Sequence, residues 1–208
     1  MAHEIDLSIN IAGIKMKNPV MVASGTFGFG REYSNFYDIN RLGALVTKGL
    51  TLLPKEGNPP PRIYETPAGI LNSVGLENPG VQGFIEAEWP YLSKTQIPVI
   101  ANISGDTVDD YHKLAKQLSA LENLAALEVN ISCPNVGKGG MAFGQDPQSA
   151  FEVIKAVREA TSLPIIAKLS PNVTSIQKMA EAAVNAGADA VSLINTLLGM
   201  AIDIHNQR

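Results

Sequence analysis

The chain has 208 residues, 45% of them hydrophobic and 17% charged, with a formal net charge of −4. That composition describes one soluble globular domain with enough chain for a full core. The acidic balance, with no basic run interleaved with aromatics, excludes a nucleic-acid-binding surface. No apolar run approaches the ~20 residues of a membrane span, and the N-terminus MAHEIDLSIN has no apolar signal core. The single cysteine cannot form an internal disulfide, so a reducing, cytoplasmic setting is expected.

Residues 5–17, IDLSINIAGIKMK, alternate apolar and polar about Ala12-Gly13 and predict a short hairpin, suited to plug the bottom of a barrel. Six short apolar runs follow, at 19–25, 44–49, 98–104, 126–132, 164–170 and 190–196. Rich in Val, Ile and Leu, they fit parallel strands buried on both faces. Between the second and third lies a longer insertion, about 50 to 97. It carries Pro59-Pro60-Pro61, a loop from Leu71 to Leu76 and a helix after Pro79, and an insertion of that size over a barrel usually carries function.

Helices separate the later runs. Thr107 to Glu122 is amphipathic. A second helix opens with Asp146 as N-cap and Pro147 at the first helical position. A third opens as Thr174-x-x-Gln177, a capping-box pattern, and stops at Gly187. The sequons at Asn102, Asn130 and Asn172 fall where strands end and read as site asparagines rather than glycosylation acceptors.

This βα alternation requires a parallel sheet. Polar residues cluster at strand C-terminal ends along all six runs rather than at one switch point, which selects a (β/α)8 TIM barrel over a doubly wound sheet. Gly137-x-Gly139-x-x-Ala142 nominally matches a dinucleotide fingerprint, but it is displaced from its strand and opens no helix. Residues 1–208 are read as a single domain with about six of the eight barrel strands, incomplete at its C-terminal end.

The rest of the chain is organised around Leu127 to Pro147, LEVNISCPNVGKGGMAFGQDP. A lone cysteine is ordinarily a small buried hydrophobe. Cys133, however, sits where strand gives way to loop, precedes a proline, and is flanked by Asn130, Ser132 and Asn135 rather than by packing residues. The stretch NISCPN…GGMAFGQDP resembles the active-site loop of dihydroorotate dehydrogenases, most closely those of class 1B, and the resemblance extends over essentially the whole chain in order.

The resemblance implies an FMN-bearing barrel that oxidises dihydroorotate to orotate in pyrimidine biosynthesis, with Cys133 as general base. Ser24, in a segment that otherwise reads as a tight turn, would lie where backbone approaches flavin. Lys48, by itself a snorkelling lysine, would contact flavin and the orotate carboxylate, with Gly49 beside it. Asn72 would bind the pyrimidine ring, and Ser73, Val74, Gly75 and Leu76 would lend backbone contacts. Asn102 and Asn130 offer donor and acceptor together; the resemblance gives both to flavin and Asn130 also to substrate. Asn195 and Thr196 would bind orotate, and Ile194 would contact flavin.

Lys168 keeps three readings: a paired core lysine, a Schiff-base lysine of an aldolase-type barrel, or the cation that the resemblance sets beside the flavin N1/O2 edge. A barrel that is catalytically inactive alone is a further alternative. His3, His112 and His205 have no metal-ligand spacing, so no metal is assigned. The resemblance also implies a homodimer joined by a subunit carrying FAD and a 2Fe-2S cluster, through which electrons reach NAD; one cysteine cannot hold such a cluster here. In the family the FMN phosphate is held after strands seven and eight, and Leu197 to Arg208 offers only Gly199. FMN binding by these 208 residues alone is therefore expected to be weak, with a tendency to self-associate.

Overall fold

The computed structural model describes residues 5–132 and 143–205. The predicted hairpin forms as β1 (Ile9–Ile11) and β2 (Ile14–Met16), turning through Ala12 and Gly13, both at positive φ. All six apolar runs become strands: β3 (Met21–Val22), β4 (Ala44–Val46), β7 (Val99–Ile103), β8 (Leu124–Asn130), β9 (Ile165–Lys168) and β10 (Ala190–Ser192). They form one parallel sheet in the order β10-β9-β8-β7-β4-β3, sequential neighbours throughout, as the wall of a TIM barrel requires.

Helices α3 (Val108–Leu118), α4 (Pro147–Ala160) and α5 (Ile176–Asn185) cover the outer face. Leu114, Val153, Ile154 and Met179 join Leu45, Ala101, Leu127, Val129 and Ala167 in one buried cluster. Thr107 closes a full capping box with Asp110, and Asp146 accepts from the Ser149 N–H as expected. The third cap differs: Ser175, not Thr174, is the N-cap and accepts from the Lys178 N–H. Adjacent hydroxyl residues both satisfy the sequence pattern, and only backbone direction selects between them.

The inner face carries a second cluster, Ala44, Val46, Ile100, Ala126 and Ile166, covered by Ile14 and Met16 of the hairpin. Small alanines on β4 and β8 leave room for that cover, so the hairpin plugs the N-terminal end of the sheet. Strand alternation then sends Asn102, Glu128 and Lys168 to the same inner face, nearer the C-terminal ends.

The insertion contains an element that sequence reading did not anticipate. Residues Ile63–Thr66 (β5) and Gly69–Asn72 (β6) pair as an antiparallel hairpin, so Asn72 ends a strand rather than lying within a loop. Its turn, Pro67-Ala68, lacks the Asn-Gly or Asp-Gly signal of a tight hairpin, which hid it. The helix after Pro79 runs as α1 (Gly80–Gly83), a π-helical turn (Phe84–Glu88) and α2 (Trp89–Leu92). Among the described residues no helix is long and apolar enough to cross a membrane.

Candidate functional site

At the C-terminal ends of the central strands the inner face turns polar. Asn102 on β7 is 2% exposed, and its Nδ2 donates to Glu128 Oε1 at 2.9 Å. The same Glu128 oxygen lies 3.6 Å from Lys168 Nζ at the end of β9. Glu128 is 3% exposed, and burial pushes its carboxyl above the ordinary range, while Lys168 and the Asn102 amide pull it back. Lys168 is therefore a paired lysine at the end of its strand.

One turn of chain further, Asn195 Nδ2 donates to Asn130 Oδ1 at 2.9 Å, and that oxygen also accepts the Ser132 N–H. The Tyr111 hydroxyl donates to the Asn130 carbonyl at 2.7 Å, and its ring meets Phe143 edge-on, which ties the end of β8 to α3. Asn195 is held by its own N–H to Leu169 O, and Thr196 turns back to donate to Asn195 Oδ1. The Thr196 carbonyl accepts from Asn172, so the third sequon asparagine braces the tail rather than entering the cluster. Ile194 follows β10 and is exposed.

Cys133 lies outside the described residues, as do Gly137, Gly139 and Ala142. The flanks of that segment are close together: the Gly144 N–H donates to Ile131 O at 2.6 Å, where β8 ends.

Lys48 is half-buried just past β4, and it has no carboxylate partner among the described residues. Gly49 is packed so closely that a Cβ there would stand 3.0 Å from both Asn102 Oδ1 and Leu76 Cδ1. Leu76, at φ 58, is the point where the insertion reaches this face; Asn78 Nδ2 donates to its carbonyl at 2.8 Å. Gly75 and Val74 precede it, Val74 accepting from the Asn58 N–H. Asn72 and Ser73 line a groove of about 480 Å³ between the β5–β6 hairpin and Gly199–Asp203. Ser24 follows β3 inside a turn closed by Thr26 to the Ala23 carbonyl, so the tight-turn reading holds as backbone geometry.

Four buried oxygens at these strand ends lack any hydrogen-bond partner among the described residues: Asn102 Oδ1, Ser104 Oγ, Ser132 Oγ and Ser192 Oγ. Sequence reading missed Glu128, Ser104 and Ser192. Glu128 had a legible signal, since a charge inside the apolar strand LEVN demands a buried partner. Among the described residues no group of His, Cys, Asp and Glu could hold a metal ion.

Comparison with known proteins agrees with the resemblance carried by the NISCPN stretch. A family model described as dihydroorotate dehydrogenase matches residues 6–208. The catalytic subunit of dihydroorotate dehydrogenase B (NAD(+)) from Geotalea uraniireducens (strain Rf4) is 56% identical over 203 residues, covering 98% of this chain and 67% of that protein. Its counterpart from Thermoanaerobacter pseudethanolicus (strain ATCC 33223 / 39E) is 56% identical over 200 residues, 96% of this chain and 66% of that one. In fold, the chain is similar to DHODH from Eimeria tenella, crystallised with ferulenol, at a TM-score of 0.75 and 21% identity, covering 96% of this chain and 62% of that chain. The chain thus spans about two thirds of the length of these curated relatives.

Proposed function

The chain belongs to the dihydroorotate dehydrogenase family, and from that premise we propose that it oxidises dihydroorotate to orotate on an FMN held at the C-terminal ends of β4 and β7–β10. The observation that supports this reading most is the Asn102–Glu128–Lys168 cluster with its unpartnered Asn102 oxygen. A polar ligand can satisfy such a buried atom, for which the described residues offer no partner. The surroundings fit a flavin ring. Gly49 leaves backbone without a side chain beside Asn102, Lys168 offers a fixed cation, and Asn102, Asn130 and Ser192 supply hydrogen-bonding groups of both polarities.

FMN supplies the hydride acceptor. The chain's own residues do the rest. Cys133 accepts the proton from C5 of dihydroorotate as C6 gives up its hydride; it follows shortly after Asn130 in the chain. Asn130 and Asn195, joined to each other, present the amides that orient the pyrimidine ring, and Thr196 follows Asn195. Lys48, without a carboxylate partner among the described residues, is the cation for the substrate carboxylate, and Asn72 to Leu76 form the wall contributed by the insertion. Ser24, Gly49 and Ile194 complete the flavin contacts. Lys168, committed to its ion pair with Glu128, favours this role over Schiff-base chemistry, for which an aldolase needs a free amine.

The relatives are named as catalytic subunits linked to NAD(+). By that likeness the reading extends to a homodimer in the cytoplasm, with an FAD and iron–sulfur subunit that carries electrons on to NAD. The deciding measurement is anaerobic: dihydroorotate added to protein at saturating FMN bleaches the flavin absorbance. Cys133→Ser should retain FMN and slow the bleaching by about 10²–10⁴-fold, as expected for loss of a general base. No bleaching in the unaltered protein with FMN bound would end the proposal.

A further inference from the structure

Glu128 is a buried carboxylate to which the chemistry above gives no task. Resting on the flavin reading, we infer that Glu128 is a positioning residue that sets the polarity of the site: it turns the Asn102 carbonyl oxygen toward the cavity and anchors the Lys168 ammonium beside it. One oxygen does both, since Glu128 Oε1 lies 2.9 Å from Asn102 Nδ2 and 3.6 Å from Lys168 Nζ.

The chemistry of the pair makes the arrangement one-way. An ionised carboxylate only accepts hydrogen bonds, so the amide facing it must present its NH2. The Asn102 oxygen is then forced to the other side, where it is buried and unpartnered among the described residues. Glutamine at 128 would remove this constraint, because its amide could donate to that oxygen and let Asn102 turn over. Register explains why these side chains meet: Asn102 pairs with Glu128 across β7 and β8, and Lys168 pairs with Asn130, the next inward residue of β8. The site therefore offers an acceptor beside a cation whose charge is already offset. It suits a ring that carries an N–H donor and gains negative charge when reduced.

Two readouts separate this inference from the functional reading. In ligand-free protein, Glu128→Gln should speed hydrogen exchange of the Asn102 side-chain amide about tenfold by NMR, as expected on loss of a buried charge-assisted bond. With FMN bound, the same variant leaves Lys168 without its counter-charge. Reduced flavin should then bind about tenfold more tightly relative to oxidised flavin, a rise in midpoint potential of about 30 mV. Lys168→Met should move the potential by a similar amount in the opposite direction, and Glu128→Asp should leave it near the unaltered value. A residue that merely supports the fold would move neither readout with sign.

Unchanged Asn102 exchange in Glu128→Gln overturns the inference whether or not FMN binds. Shifts of the same sign in Glu128→Gln and Lys168→Met overturn it too. If Glu128→Gln does not fold, the Glu128→Asp and Lys168→Met potentials decide. Absence of FMN binding by the unaltered protein would defeat the functional reading alone, and the exchange measurement would still judge Glu128.

Discussion

The inner face of the sheet is two regions built by the same strands. On β7 and β8, Ile100 and Ala126 lie one inward step below Asn102 and Glu128. The lower rank packs on Ile14 and Met16 of the hairpin and is apolar throughout. The upper rank carries a carboxylate, an ammonium and an amide, and leaves an oxygen without a partner among the described residues. Along a single strand, then, packing for stability gives way within one inward step to a polar surface that the described residues leave partly unsatisfied. A parallel barrel permits this because its strands share one direction, so their C-terminal ends gather at one mouth while the opposite end can be closed.

The largest expected effect tests the lower rank. Ile14→Ala removes a buried side chain from the cluster that includes Ala44 and Val46, and should cost about 2–5 kcal/mol in urea unfolding. FMN affinity of the folded fraction should not change; a parallel loss of affinity would show that the two ranks are not separable.

Converting the upper rank into a copy of the lower sharpens the contrast. Glu128→Leu together with Lys168→Met removes a buried ion pair, and stability should hold or rise by about 1–4 kcal/mol, since such pairs seldom repay their desolvation. FMN binding should be lost in fluorescence titration. A double variant that unfolds would mean that the polar rank also holds the sheet together.

pH separates the ranks more finely. Burial raises the Glu128 carboxyl, so below the ordinary carboxylate range both folded and unfolded chains hold its proton. As pH rises through that range the unfolded chain releases the proton first. Stability relative to Glu128→Gln should therefore fall, by up to about 1.4 kcal/mol per pH unit, until Glu128 itself ionises and the difference levels off. Urea midpoints of both proteins across acidic to neutral pH would show it; a difference that grows in favour of the unaltered protein contradicts the burial term.

The smallest effect concerns Ser104, fully buried at 0% exposure, whose hydroxyl has no partner among the described residues. Ser104→Ala should be neutral or stabilising by about 1 kcal/mol, because it removes an unpaired buried group. A clear destabilisation in thermal melts would reveal a partner for that hydroxyl.

The amino-acid sequence by itself determined the six parallel strands, the plugging hairpin and the caps at Thr107 and Asp146, because periodicity and capping act over a few residues. It also placed the family, through the local order of NISCPN and GGMAFGQDP. Tertiary structure alone decided that Ile63–Thr66 and Gly69–Asn72 pair, that Lys168 answers Glu128, and that Asn195 reaches Asn130 across 65 positions of chain. Those partners are set by strand register and shear, which bring distant side chains to one face. No window of sequence contains that information, because it exists only once neighbouring strands have hydrogen-bonded.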